Sequence, residues 1–191
     1  MTLRRLPFVL AACAALLLAG CGFHLRRSAA LPDAMQRVYL NVNGGGDLPR
    51  ELRLAVRLSG ARIEDEAGPG IATLEVPVAA FRTDALTVSG FARITEYAVR
   101  YHVEFDVKDA DGKPVVARQV IDMSREYTFD ATQLVGNEAQ QEEIRRGLTR
   151  DMVQAIMRRL EAARLHPEAV LQPAPSAAPP DDGDTGGPSP R

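Results

Sequence analysis

Tyr97-Ala98-Val99-Arg100-Tyr101-His102-Val103-Glu104-Phe105-Asp106-Val107 is the stretch that decides the fold. Tyr97, Val99, Tyr101, Val103, Phe105 and Val107 fall on one parity, while Glu96, Arg100, His102, Glu104 and Asp106 fall on the other. Strict period-two alternation predicts a half-buried strand, because successive side chains point to opposite faces of a sheet. From Ile94 to Val107 such a strand spans about 46 Å at 3.3 Å per residue. Asp109-Ala110-Asp111-Gly112 then reads as a hairpin turn with Asp-Gly as its turn dipeptide. The return strand runs from Val115 to Phe129, with Val115, Ala117, Ile121, Met123, Tyr127 and Phe129 expected on the apolar side. Alternation of this kind in antiparallel strands means one covered face and one wet face.

The cover lies C-terminal to the hairpin. Asn137 and Gln140 have the spacing of a capping box. Ile144, Leu148, Met152, Ala155, Ile156 and Leu160 then repeat at helical spacing to about Leu165, where Pro167 ends the pattern. At 1.5 Å per residue this helix measures about 42 Å, a match for the hairpin.

On the N-terminal side, Val38 to Val42 alternates as a strand, and Asn43-Gly44-Gly45-Gly46 breaks it. Asp47 is placed as an N-cap with Pro49 in the first turn, where a missing N–H costs nothing. Leu48, Leu52, Ala55, Val56 and Leu58 form a helical stripe that Gly60 stops. Ala72, Leu74, Val76, Val78 and Ala80 alternate again, parallel to the first strand across a right-handed crossover. Pro77 requires an edge position or a bulge there. Phe81, Leu86 and Val88 fit an extension of that strand, and Ser89-Gly90 reads as a turn. The expected fold is α/β of the α+β kind, in the order β-α-β-β-β-α. It places two helices on one face of a four-stranded mixed sheet.

The two ends read differently. Residues 1–20 carry Arg4 and Arg5, an apolar core from Phe8 to Leu18 and then small residues, which is the anatomy of a secretory signal. The apolar run is shorter than the 20 or so residues a transmembrane helix needs. Leu18-Ala19-Gly20-Cys21 places a small residue before a cysteine, the pattern of a bacterial lipoprotein signal. Cleavage before Cys21 exposes an amino terminus for N-palmitoylation and a thiol for S-diacylglycerol. Cys21 is also the one cysteine of the mature chain, since Cys13 lies within the signal, so lipidation accounts for an otherwise unpaired secreted thiol. The domain plan is therefore signal 1–20, anchor and spacer 21–36, folded domain 37–166 and tail 167–191. The tail from Pro173 onward has no aromatic or branched aliphatic residue and is expected to be disordered.

Removing residues 1–20, which hold two arginines and no acid, takes the formal net charge from -2 to -4. That balance argues against nucleic acid as a partner. Catalytic chemistry has little support. His24, His102 and His166 have no metal-ligand spacing, and no Gly-x-Ser-x-Gly or Ser-x-x-Lys occurs. No cofactor is expected beyond the covalent lipid on Cys21. The Gly44–Gly46 loop lacks phosphate-loop spacing, and Asp109–Gly112 lacks a glutamate at the twelfth position, where Val120 stands. Arg82, Arg93, Arg100, Arg118 and Arg125 are candidates for contacting an anionic partner. Glu96, Glu104, Asp106, Asp122 and Glu126 are interleaved with them, so a plain solvated face is the competing reading.

Cys21-Gly22-Phe23-His24-Leu25-Arg26 resembles the Cys-Gly-(aromatic)-His-Leu-Arg start of the LPS-assembly lipoprotein family LptE. Thr95-Glu96-Tyr97, Arg125-Glu126-Tyr127-Thr128-Phe129-Asp130, Asn137-Glu138 and Met157-Arg158-Arg159-Leu160 extend the resemblance over residues 21–165. The resemblance implies a small α/β domain that plugs the LptD outer-membrane β-barrel, helps it assemble and contacts lipopolysaccharide in transit. It also implies anchorage in the inner leaflet of the outer membrane, facing the periplasm and the barrel lumen. Gly22 after the cysteine, rather than Asp, fits that destination. The alternative is a lipoprotein accessory of an ABC-linked, phospholipid-type transport system. One departure stands out. Where the family has basic residues before the long strand and before the last helix, this chain has Ser89-Gly90 and Val135-Gly136, and Arg93 is the nearest cation. Lipopolysaccharide contact is accordingly expected at Arg93, Arg100, Arg118 and Arg125.

Overall fold

A computed structural model describes residues 31–88, 94–129 and 134–171. The long hairpin forms as the alternation dictates, with strand β4 at Ile94–Lys108 and β5 at Pro114–Thr128. Val99, Tyr101, Val103, Phe105 and Val107 of β4 are fully buried. The turn between them is held by Asp109, whose Oδ1 accepts from the backbone N–H groups of Asp111 and Lys113 at 2.9 and 2.8 Å. Gly112 supplies the left-handed residue that closes it, with φ at 79°.

The apolar parity expected for β5 holds from Ile121 onward and fails before it. Phe105 faces Gln119, yet Val107 faces Val116, so β5 carries one extra residue between these pairs. That bulge turns Val116 inward, fully buried, where Val115 and Ala117 were expected. A bulge leaves no mark in an alternation pattern beyond a change of phase.

Ahead of the hairpin, strand β1 (Arg37–Val42) leads into helix α1 (Leu48–Leu58), which buries Leu48, Leu52 and Val56. Asp47 occupies the N-cap position but its side chain caps nothing; its carboxylate lies 3.5 Å from Arg50 instead. Leu58, placed on the apolar stripe by spacing, is 68% exposed. A strand that the sequence does not announce follows, β2 at Arg62–Glu64. It has three residues and one apolar side chain, Ile63, too short for any periodicity. The sheet therefore has five strands, not four, in the order β2-β1-β3-β4-β5, and its class is as expected.

Strand β3 (Ala72–Val88) pairs parallel with β1 and antiparallel with β4. The stretch after Phe81 thus extends the strand. Pro77 sits inside a central strand, and the ladder accommodates it with a register shift between Glu75 and Val78. Pairing with β1 ends at Val76, so the missing N–H falls where no ladder bond is required.

Helix α2 (Leu134–Leu165) covers β4 and β5, and its 32 residues measure about 48 Å at 1.5 Å each. It starts earlier than the capping-box reading placed it. Asn137 lies one turn inside and is buried, so it does not serve as a cap. Ile144, Leu148, Met152, Ile156 and Leu160 close the core against the hairpin. Two boundaries also move. The stretch read as spacer contributes Leu31 and a fully buried Met35 to the core, the latter in a 3-10 turn at Asp33–Met35. Pro167 does close α2, but it also begins a short helix α3 (Pro167–Val170) within the stretch read as tail.

Gly44 and Gly60 separate conformational strain from crowding. Both have positive φ, but a Cβ on Gly44 would lie 2.7 Å from the Ala79 carbonyl oxygen, whereas one on Gly60 meets nothing within 4 Å. Gly60→Ala is expected to cost about 1 kcal/mol and Gly44→Ala about 1–3 kcal/mol more, read by urea denaturation. In the seam, Ile156→Ala is expected to cost about 2–5 kcal/mol with an unchanged denaturant slope.

Candidate interaction surfaces

With α1 and α2 on one side of the sheet, the other side is left open, and it is lined with charge. Arg100 donates to Asp84 at 2.7 Å, and Arg82 reaches the other oxygen of the same carboxylate at 2.9 Å. Arg118 donates from Nε and Nη2 to Oδ1 of Asp106 at 3.0 and 2.7 Å, and its Nη1 lies 3.6 Å from Glu104. Lys108 reaches Glu75 at 3.5 Å and Asp106 at 3.9 Å. His102 lies between two acids on neighbouring strands, 2.7 Å from Asp122 and 3.4 Å from Glu104. The result is a lattice of neutralised charge rather than a patch of one sign.

Two of its members are tuned by their neighbours. The hydrogen bond to Asp122, helped by Glu104 and opposed by partial burial, raises the His102 pKa above its ordinary value. The hydrogen bond to Asp106 chiefly raises that of Arg118, so this guanidinium is charged at any physiological pH. Asp106 is itself buried at 6% exposure, and its two bonds from Arg118 offset the cost of desolvating a carboxylate.

Arg125 does not join this lattice. It faces α2, donating to Asp151 at 2.9 Å and lying over Gly147, where an added Cβ would meet its Nη1 at 2.7 Å. Arg159 of α2 similarly reaches β5, donating to the Val120 carbonyl at 2.9 Å, and burial lowers its pKa. The structure therefore brings Arg100 and Arg118 onto the open face and separates Arg125 from them. Cys21 and Arg93 lie outside the described residues.

The sequence reading missed Arg145. Its guanidinium lies 5.6 Å from the centroid of Phe81, which stacks on Tyr101 with centroids 3.8 Å apart. The Tyr101 hydroxyl reaches the Gly45 carbonyl at 3.4 Å, and burial pushes its pKa up. Gly46, Asp47, Phe81, Glu142, Arg145, Arg146 and Thr149 line an indentation of about 240 Å³ beside this stack. The available signal was the polar row Gln141, Arg145 and Thr149 at four-residue spacing, adjacent to the apolar stripe of α2. Among the described residues no cluster of three or more His, Cys, Asp or Glu is arranged to hold a metal, and no helix is long and apolar enough to cross a membrane.

These features define a class, a small α+β domain with one helix-covered sheet face and one open face of paired charges. The chain belongs to the lipopolysaccharide-assembly family LptE, whose family model matches residues 35–160. It is 23% identical over 157 residues to the LPS-assembly lipoprotein LptE of Photorhabdus laumondii, covering 82% of this chain and 85% of that one. It is 26% identical over 149 residues to the LPS-assembly lipoprotein LptE of Pectobacterium atrosepticum, covering 77% and 80%. Among solved structures, lipoprotein B of Nitrosomonas europaea superposes with a TM-score of 0.65 at 25% identity, covering 76% of this chain and 94% of that one. Rare lipoprotein B of Shewanella oneidensis gives 0.60 at 19% identity, covering 69% and 98%, and shows the fold alone.

The His102 bridge has a testable sign. Because its folded-state pKa is raised, its stabilisation is full below the unfolded value of about 6.5 and is lost as pH rises through the folded value. The stability gap between the parent chain and His102→Gln is expected to shrink from pH 5.5 to pH 8.5 in urea titrations. A gap that widened over that range would contradict the assignment.

Proposed function

We propose that this chain is an outer-membrane lipoprotein, acylated at Cys21, that occupies and helps assemble the LptD β-barrel and takes part in delivering lipopolysaccharide to the outer leaflet. The observation that carries the reading is the family match over residues 35–160, which spans the folded body from the turn before β1 to the last turns of α2. The relatives are named as assembly lipoproteins rather than enzymes, and the protein is read as an assembly factor with no reaction of its own. The open face is physically suited to the task, since barrel interiors are polar and a lattice of paired charges can meet such a wall without stranding an ion. The lipid holds the body at the inner leaflet of the outer membrane.

Lipopolysaccharide contact is proposed for Arg93, Arg100, Arg118 and Arg125. The last three are already tied to Asp84, Asp106 and Asp151, so a lipid phosphate gains them only by displacing a carboxylate. Contact through them is therefore weaker than through an unpaired cation.

Photocrosslinking in intact cells from positions 124 on the open face and 154 on α2 tests the reading. Adducts to a large β-barrel are expected, and depletion of the protein is expected to stop lipopolysaccharide short of the surface. Unchanged surface lipopolysaccharide after depletion would sink the proposal and favour an accessory of a phospholipid-type transporter.

A further inference from the structure

The place where the anchor segment enters the fold fixes which part of the body sits nearest the membrane. Leu31, Pro32, Met35 and Gln36 pack against Ser59, Gly60 and Ala61 at the C-terminal end of α1, around a shallow depression of about 130 Å³. The backbone joins the two, because the Arg62 N–H donates to the Gln36 carbonyl at 2.8 Å. Ten residues separate Cys21 from Leu31, and a chain of that length reaches at most about 35 Å however it runs. If Cys21 is lipidated, the end of α1 is thus held within that distance of the lipid.

That end of the helix is unlike an ordinary solvated surface. Leu54 is 51% exposed and Leu58 68% exposed, and their four-residue spacing puts them on one outward ridge of α1. Arg53 and Arg57 stand on the same outward side. Among the described residues Arg57 has no carboxylate partner, whereas Arg82, Arg100 and Arg118 of the open sheet face are paired. Arg53 has only Asp65 at 3.9 Å, whose side chain is fully exposed. Exposed leucines flanked by one unpaired and one loosely held arginine on a short helix form the pattern of a segment lying in a membrane interface, with the apolar side chains dipping in and the cations at headgroup level.

We propose that the outward ridge of α1, with Leu54 and Leu58 flanked by Arg53 and Arg57, rests on an anionic phospholipid surface, the leaflet that carries the anchor. The proposal rests on the lipidated-Cys21 reading for its geometry but not for its chemistry, since the ridge itself carries the charge and the apolar side chains. It makes the anchor a two-part contact, covalent acyl chains plus one face of the protein, and it orients the long hairpin relative to the membrane instead of leaving it to swing on a tether.

The test is the mature chain carrying Leu58→Cys labelled with an environment-sensitive fluorophore, added to vesicles of phosphatidylcholine alone or mixed with phosphatidylglycerol. A companion version carries Cys21→Ser as well, so position 58 is its one thiol, and Ser124→Cys reports on the open sheet face. A blue shift at position 58 on phosphatidylglycerol vesicles is expected in both the acylated and the Cys21→Ser chains, with position 124 unshifted. Arg57→Glu should weaken vesicle partitioning of the Cys21→Ser chain by about fivefold or more, and so should raised salt. An unshifted label at position 58 on vesicles to which the acylated chain is bound overturns the proposal. Intact mass of the cell-derived protein reports acylation of Cys21 separately, so failure of the anchor reading is distinguished from failure of the ridge.

Discussion

The seam between β4 and α2 is the constraint on which the other elements depend. Five consecutive inward residues of β4, from Val99 to Val107, are removed from water entirely, and five apolar side chains of α2 supply the opposing surface. Each fully buried aliphatic or aromatic side chain contributes about 1.5–3 kcal/mol, so this seam outweighs any ion pair in the molecule. It also dictates length. A strand of 15 residues spans about 50 Å at 3.3 Å each, and only a helix of comparable extent leaves no apolar residue uncovered. The shorter elements are accommodated around this pair: α1 packs beside α2, and β1 and β2 extend the sheet on its far side.

The parts of the fold that could be read from the residues are those written in a period. Alternation from Tyr97 to Val107 and the helical repeat from Ile144 to Leu160 each extend over several turns or pleats, so local irregularity cannot hide them. What could not be read lacks a period. Strand β2 has three residues and owes its existence to the edge of β1, the Arg62 N–H bond to Gln36 and the 2.8 Å pair between Arg37 and Glu64. The β5 bulge depends on register against a partner strand. The start of α2 depends on a buried Asn137 that looks, by composition, like a helix terminus. In the candidate site, residue types were legible but their partners were not. Arg125 shares the apolar parity of Ile121, Met123 and Tyr127 while Arg118 does not, so alternation already set them apart, but only the structure shows Asp151 of α2 as its partner.

Pairing also changes what the charges are good for. Exposed ion pairs contribute little to stability, about 0–1 kcal/mol each, so the lattice on the open face is a poor explanation for folding. Its effect is on recognition. Where strands β3, β4 and β5 satisfy their own charges, the surface repels neither sign and presents no isolated cation to a stray anion. The outward ridge of α1 is the contrast, with Arg57 left unmatched and Arg53 held only loosely beside bare leucines. The two surfaces thus divide the molecule into a face that tolerates a polar wall and an end that favours lipid.

Strand β5 has one further implication. It is an edge strand of 15 residues, long enough to recruit a strand from any neighbouring chain. Yet Arg118, Asp122, Arg125 and Glu126 punctuate it with alternating sign, Pro114 heads it, and Arg159 occupies the Val120 carbonyl from the side. Guarding it this way disfavours edge-to-edge pairing between copies of the folded chain, so protection against aggregation is written into the same strand that completes its core.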